Sequence, residues 1–150
     1  MSSTQPFNLS VDLPSIDEDA AARACDAAIA EARAHGLRIN VAVCDRSGVL
    51  LAFRRQHGAF LHSIDIAIDK AYTSASFGFP TARWMSLIGQ DEALRIGLPL
   101  RPRLVVFGGG LPIIDGGHVI GGIGVSGGSA EQDEQCAAAG LRAIGLASPA

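Results

Sequence analysis

The run Val105-Val-Phe-Gly-Gly-Gly-Leu-Pro-Ile-Ile-Asp-Gly-Gly-His-Val-Ile-Gly-Gly-Ile-Gly-Val-Ser-Gly-Gly128 constrains the fold more than any other part of the sequence, because it threads short glycine blocks between apolar, strand-like segments. Glycine inside a strand packs nothing and loses the most backbone entropy on folding. A cluster this dense therefore calls for bulges, positive φ angles, or the close approach of another backbone or a ligand. A binding surface is the expectation that follows, with strand twist and tight helix packing as the plainer alternative. Directly after the run, Ser129-Ala-Glu-Gln132 has the spacing of a capping box, so a helix starts there with its positive end toward the strand exit.

The pattern extends in both directions. Residues 1–14 carry Pro6 and Pro14 and no sustained period, which reads as an arm that is disordered alone or lies on a neighbour. A single domain is expected over 15–150. Ser15-Ile-Asp-Glu18 predicts a capped helix, with Ala20, Ala24, Ala28 and Ala32 in a small-residue stripe and Gly36 as its stop. Segments 38–45 and 49–55 flank Arg46-Ser-Gly48 and predict a β-hairpin, with Ile39, Val41 and Val43 on one face and Asn40, Ala42 and Cys44 on the other. Helical spacing of Ile64, Ala67, Ile68, Ala71 and Ala75 predicts a helix ending near Phe77-Gly-Phe-Pro80, and Thr81 is placed to cap a short one through Leu87. Strands are expected at 103–107, 111–114 and 118–125, the last two joined by Asp115-Gly-Gly117, and a final helix from about Ala130 to Leu146. The order α-β-β-α-α-β-β-β-α implies an α+β fold: a five-stranded antiparallel sheet with helices mainly on one face.

Composition excludes several function classes. The 150 residues carry a net charge of -3, no basic run and few aromatic side chains, against the basic stripe and stacking platforms of a nucleic-acid binder. Membrane-spanning stretches and a secretory signal are both missing from the pattern, so a cytoplasmic location without membrane partners is expected. Cys25, Cys44 and Cys136 match neither zinc nor redox spacing and are read as reduced core residues.

Gly122-Ile-Gly-Val-Ser-Gly127 satisfies the literal dinucleotide pattern, but the strand and acid that should follow its helix are lacking. The amides from Gly127 through Ser129 to Ala130 can instead receive a carboxylate or phosphate at the helix start. Among ionisable groups, Asp45, Arg54, Arg55 and Lys70 form the most suggestive set. Lys70 stands at the edge of an apolar helical stripe, where it either extends over the core with its ammonium in water or sits in an apolar pocket with a lowered pKa. His57 occupies a strand-to-loop junction, where functional groups are often presented. His57, His62 and Asp65 meet no standard metal spacing, so no metal centre is expected from them. Ser126 and Ser129 lack the spacing of a nucleophile elbow.

Ala42-Val-Cys-Asp-Arg-Ser-Gly48, Arg55-Gln-His-Gly-Ala59, Lys70-Ala-Tyr-Thr73, Gly109-Gly-Leu-Pro-Ile113 and Gly121-Gly-Ile-Gly-Val-Ser-Gly127 with Asp133-Glu134, in that order, resemble the haem-binding GlcG/HbpS-like family. The family usually has Asp-Gly-Ala where this chain has His57-Gly58-Ala59. The resemblance implies a profilin-like α+β domain, assembly into homo-oligomers, and in some members binding or degradation of haem. Two functions follow as expectations. One is a cytoplasmic oligomer that holds haem or a related tetrapyrrole, with His57 as candidate iron ligand. The other is an isomerase, tautomerase or lyase of a small carboxylate, with Lys70, His57 and Asp45 as catalytic groups. Its ligand-binding residues would be Arg54, Gly109, Gly110, Pro112, Ser126, Gly127, Gly128 and Ser129.

Overall fold

The structure is a computed structural model that describes residues 6–150. Its helices are α1 (Glu18–Ala34), α2 (Ser63–Phe77), α3 (Trp84–Ile88), α4 (Glu92–Gly97) and α5 (Ala130–Ala143), and its strands are β1 (Asn40–Asp45), β2 (Leu50–Arg55), β3 (Gly110–Asp115) and β4 (His118–Ser126). The strands form one antiparallel sheet in the order β2-β1-β4-β3. The fold is α+β. No described helix is long and apolar enough to cross a membrane.

The alternation read from β1 decides the layers. Val41 and Val43 pair with Val125 and Ile123 of β4, and these four fully buried residues face α1 and α5 together with Ile39, Ala24, Ala28, Ile29, Ala137 and Leu141. Each such aliphatic side chain withdrawn from water contributes about 1.5–3 kcal/mol, so this face holds most of the apolar free energy. On the opposite face Ala42 and Cys44 pair with Gly124 and Gly122, and α2 covers them with Ala67, Ala71 and Ala75. The glycines permit that second layer. A Cβ on Gly124 would lie 2.1 Å from the Ala67 carbonyl oxygen, and one on Gly122 would lie 2.2 Å from that of Ala71. At Gly122 and Gly124, therefore, close helix approach explains the glycines, not a ligand, while a Cβ on Gly121 would meet the Cys44 carbonyl of β1.

Two expectations about the sheet are corrected. Helices cover both of its faces, not mainly one, because small residues make the α2 face as closely packable as the α1/α5 face. The fifth strand, 103–107, does not form. There the Thr73 hydroxyl of α2 donates to the Arg103 carbonyl (2.8 Å) and accepts from the Val105 amide (3.1 Å), so groups that would have entered a ladder are spent on a helix side chain. Arg103 itself has φ 66°, outside strand geometry. Pro112 fits its strand because β3 lies at the sheet edge.

Local signals were of mixed value. The turns at Gly48 (φ 83°) and at Gly116 and Gly117 (φ 56° and 82°) form as expected. The capping box of Ser129 and Gln132 is present in full. Ser15 does not cap α1: Asp17 does, accepting from the Asp19 amide, while the Ser15 hydroxyl receives the Arg46 amide at 3.0 Å. Nor does Thr81 cap its helix. Its hydroxyl accepts from the Gly110 amide (2.9 Å) and so pins the start of β3.

Candidate functional site

Lys70 is fully buried, so the surface alternative for this residue is excluded. It leaves α2, passes the end of β4 and reaches the first turn of α5. There its ammonium donates to the Val125 carbonyl (2.8 Å) and to Asp133 Oδ2 (3.2 Å) and lies 5.1 Å from the centre of the Phe107 ring. A Cβ on Gly109 would come within 2.5 Å of the ammonium, and φ at Gly109 is 124°, so both space and conformation demand glycine there. Burial pushes Lys70 below the ordinary lysine value and Asp133 above the ordinary aspartate value. In each case the charge of the partner opposes the shift.

Asp133 also accepts from the Gly128 amide at 2.8 Å, and the Gly127 amide adds to the hydrogen bonds that favour its ionised form. Two further groups of this helix start are paired as well: the Ser129 amide donates to Gln132 Oε1 (2.9 Å) and the Gln132 amide to Ser129 Oγ (3.1 Å). The anion at the amide cradle is thus the chain's own carboxylate. An Asp on the buried stripe of α5, three and four positions before Cys136 and Ala137, was the signal in the sequence for a partner to Lys70.

The other candidate residues are placed elsewhere. Asp45 accepts from the Ser47 and Val49 amides at 2.8 and 3.0 Å and so organises the β1–β2 turn. Arg54 forms an exposed ion pair with Asp26 of α1 at 2.7 Å. Gly110 and Pro112 lie in β3, and Ser126 is buried at the end of β4. None of these makes a hydrogen bond to Lys70.

His57 lies on the loop between β2 and α2. This loop is braced from below: Arg38 Nη1 donates to the His57 carbonyl (2.7 Å), Arg55 Nη2 to the Ala59 carbonyl (2.8 Å), and Asn40 Nδ2 to the Phe60 carbonyl (3.2 Å). Its outer surface presents His57 and His62 together with Phe60 and Leu61, which are 68% and 75% exposed. A depression of about 270 Å³ beside it is lined by Leu61, His62, Ile64 and Asp65. Phe60 and Leu61 are thus adjacent apolar side chains that this braced loop holds out to solvent. Among the described residues no group of three or more His, Cys, Asp or Glu is arranged to hold a metal ion.

Comparison with known proteins agrees with this architecture. A family model described as haem degrading protein HbpS-like matches residues 16–142. An uncharacterised 15.0 kDa protein of Citrobacter freundii, from the dhaT-dhaS intergenic region, is 42% identical over 114 residues, covering 72% of this chain and 80% of that protein. The corrinoid adenosyltransferase PduO of Salmonella typhimurium is 34% identical over 122 residues, 80% of this chain, which span only 36% of PduO. Among solved structures, Klebsiella pneumoniae ORFY superposes with a TM-score of 0.87 at 34% identity, covering 93% of this chain and 97% of ORFY. A PduOC:haem complex superposes at 0.82 with 29% identity over 91% and 99% of the two chains. A double mutant of Streptomyces reticuli HbpS gives 0.83 with 32% identity over 94% of each. The chain belongs to the HbpS-like family of haem-degrading proteins.

Proposed function

We propose that this chain is a cytoplasmic, self-associating protein that binds haem or a related tetrapyrrole at the loop between β2 and α2, with His57 as the iron ligand. The observation that carries the reading is the likeness to PduOC, a relative solved with haem, over 91% of this chain. The loop has the chemistry such a ligand needs. Phe60 and Leu61 offer apolar surface to a porphyrin face, and an imidazole is a common axial ligand to haem iron. Arg38 and Arg55 each spend one N–H on a loop carbonyl and keep further guanidinium donors for propionate groups. Bound there, the haem would supply an iron centre whose ligation and redox state the imidazole tunes. The chain's own part is to orient the ring and limit the access of water to one face. Three free, buried cysteines fit a reducing compartment.

Spectrophotometric titration with haemin tests the proposal. The wild-type chain is expected to give a saturable Soret shift that the His57→Ala variant loses while His62→Ala keeps it. A spectrum unchanged by His57→Ala removes His57 as the ligand.

A further inference from the structure

The geometry points to a second binding site, a groove along the outer face of α2 that takes a small organic carboxylate through Arg46 and Arg103. Three adjoining cavities share Ser76 as a wall; the two of about 340 and 130 Å³ share Arg46 as well, and Tyr72 is a wall common to the cavity of about 130 Å³ and the one lined by Arg103. The depression of about 340 Å³ is by itself within the range of small-molecule sites. It draws on none of the residues proposed for haem.

Tyr72 fixes the groove's shape. Its ring carries the Arg103 guanidinium, 3.6 Å from the ring centre, and lies so close to Gly48 that a Cβ there would meet it at 2.7 Å. Arg103 is held with some force. It is the one non-glycine residue with positive φ among the described residues, its carbonyl is bound by Thr73, and its Nε donates to Asp69 at 3.0 Å. Such backbone outliers persist where the surroundings over-determine them, and they cluster at ligand clamps. Arg46 is fixed from the other wall by donating one Nη1 hydrogen bond to the Val119 carbonyl at 3.0 Å.

Each guanidinium has five N–H donors, so both keep terminal N–H groups after these contacts, in the fork that matches a carboxylate. Asp69 pairs with Arg103 through Nε, which leaves the terminal N–H groups of that guanidinium for a ligand, and Arg46 forms no ion pair among the described residues. Phe77, Leu104 and Val119 supply apolar walls that a bare inorganic ion would not use. That combination of oxyanion donors and apolar surface selects an organic carboxylate over free phosphate.

The test is a titration of the isotope-labelled full chain with sodium benzoate and, separately, with sodium phosphate at equal ionic strength, following amide chemical shifts. Benzoate is expected to give saturable shifts at Ser47, Gly48, Tyr72 and Ser76. Arg103→Met, which removes charge-assisted hydrogen bonds, and Ser76→Trp, which fills the groove from an exposed helical position, should each weaken binding by roughly tenfold or more. Shifts that rise linearly with benzoate, phosphate binding as tight as benzoate, or undiminished binding by the Ser76→Trp variant would each overturn the assignment.

Discussion

A lysine and an aspartate withdrawn from water together behave differently from either alone. The Lys70–Asp133 pair links α2 on one side of the sheet to α5 on the other, with side chains only 1% and 3% exposed. Removing one partner leaves the other charge buried and uncompensated, which costs about 3–5 kcal/mol, whereas replacing both with apolar groups of similar volume is often neutral or better. Lys70→Met is therefore expected to lower the midpoint of denaturant unfolding sharply, and the Lys70→Met, Asp133→Leu double variant to recover much of the loss. Equal loss in both would contradict an ion pair as the main role of Lys70. The cysteines make a second case at this scale. Burial pushes Cys25 up to about 12 and Cys44 and Cys136 to about 11, from an ordinary value of 9.0. Folded thiols should then resist alkylation at pH 8 and react once the chain is denatured. The linkage has a definite sign. Because the folded-state values are raised, the contribution is complete below pH 9.0 and is lost as pH rises toward 11–12, so stability should fall through that alkaline window. A folded chain whose cysteines modify rapidly at pH 8 would refute the shifts.

At the scale of elements, β4 works through what it lacks. Gly124→Ala would drive a methyl group into the Ala67 carbonyl and should cost on the order of 3 kcal/mol, a large overpacking penalty. Gly116→Ala has open space around it and faces only the backbone strain of φ 56°, on the order of 1 kcal/mol. Comparable thermal melts for the two variants would count against close approach as the reason for the β4 glycines. The same contrast shows what the sequence could reveal. The capping box at Ser129, the Gly48 and Gly116-Gly117 turns and the alternation in β1 are local, set by residues within a few positions, and all were legible. The strand expected at 103–107 failed for a reason seated thirty residues away, in the Thr73 hydroxyl that takes its backbone groups. Lys70 was readable as lying beside an apolar stripe, but its burial depends on α5 and on a glycine at 109, which no local pattern announces. Likewise the amides near Gly127 looked free for a ligand until Asp133 was seen to occupy them.

For the whole molecule, the arm and the loop between β2 and α2 are two surfaces that ask for partners. Phe7, Leu9, Val11 and Leu13 alternate along the arm and are 64%, 80%, 74% and 53% exposed, a strand-like apolar face that nothing among the described residues covers. Both β2 and β3 are sheet edges with unpaired backbone on one side. Self-association through the arm is the expected outcome, and changing these four residues to serine should shift the light-scattering mass toward the monomer while leaving the melting of the domain intact. An unchanged mass would show that copies meet elsewhere. The haem reading can be tested by position as well as by colour. Ferric haem broadens nearby amide resonances, so adding it below stoichiometry to the labelled chain, against a diamagnetic gallium porphyrin control, maps the site directly. The account predicts that residues 56–63 broaden first and that His57→Ala abolishes the effect. Broadening centred on Gly127 and Ser129, or none beyond the control, would contradict it.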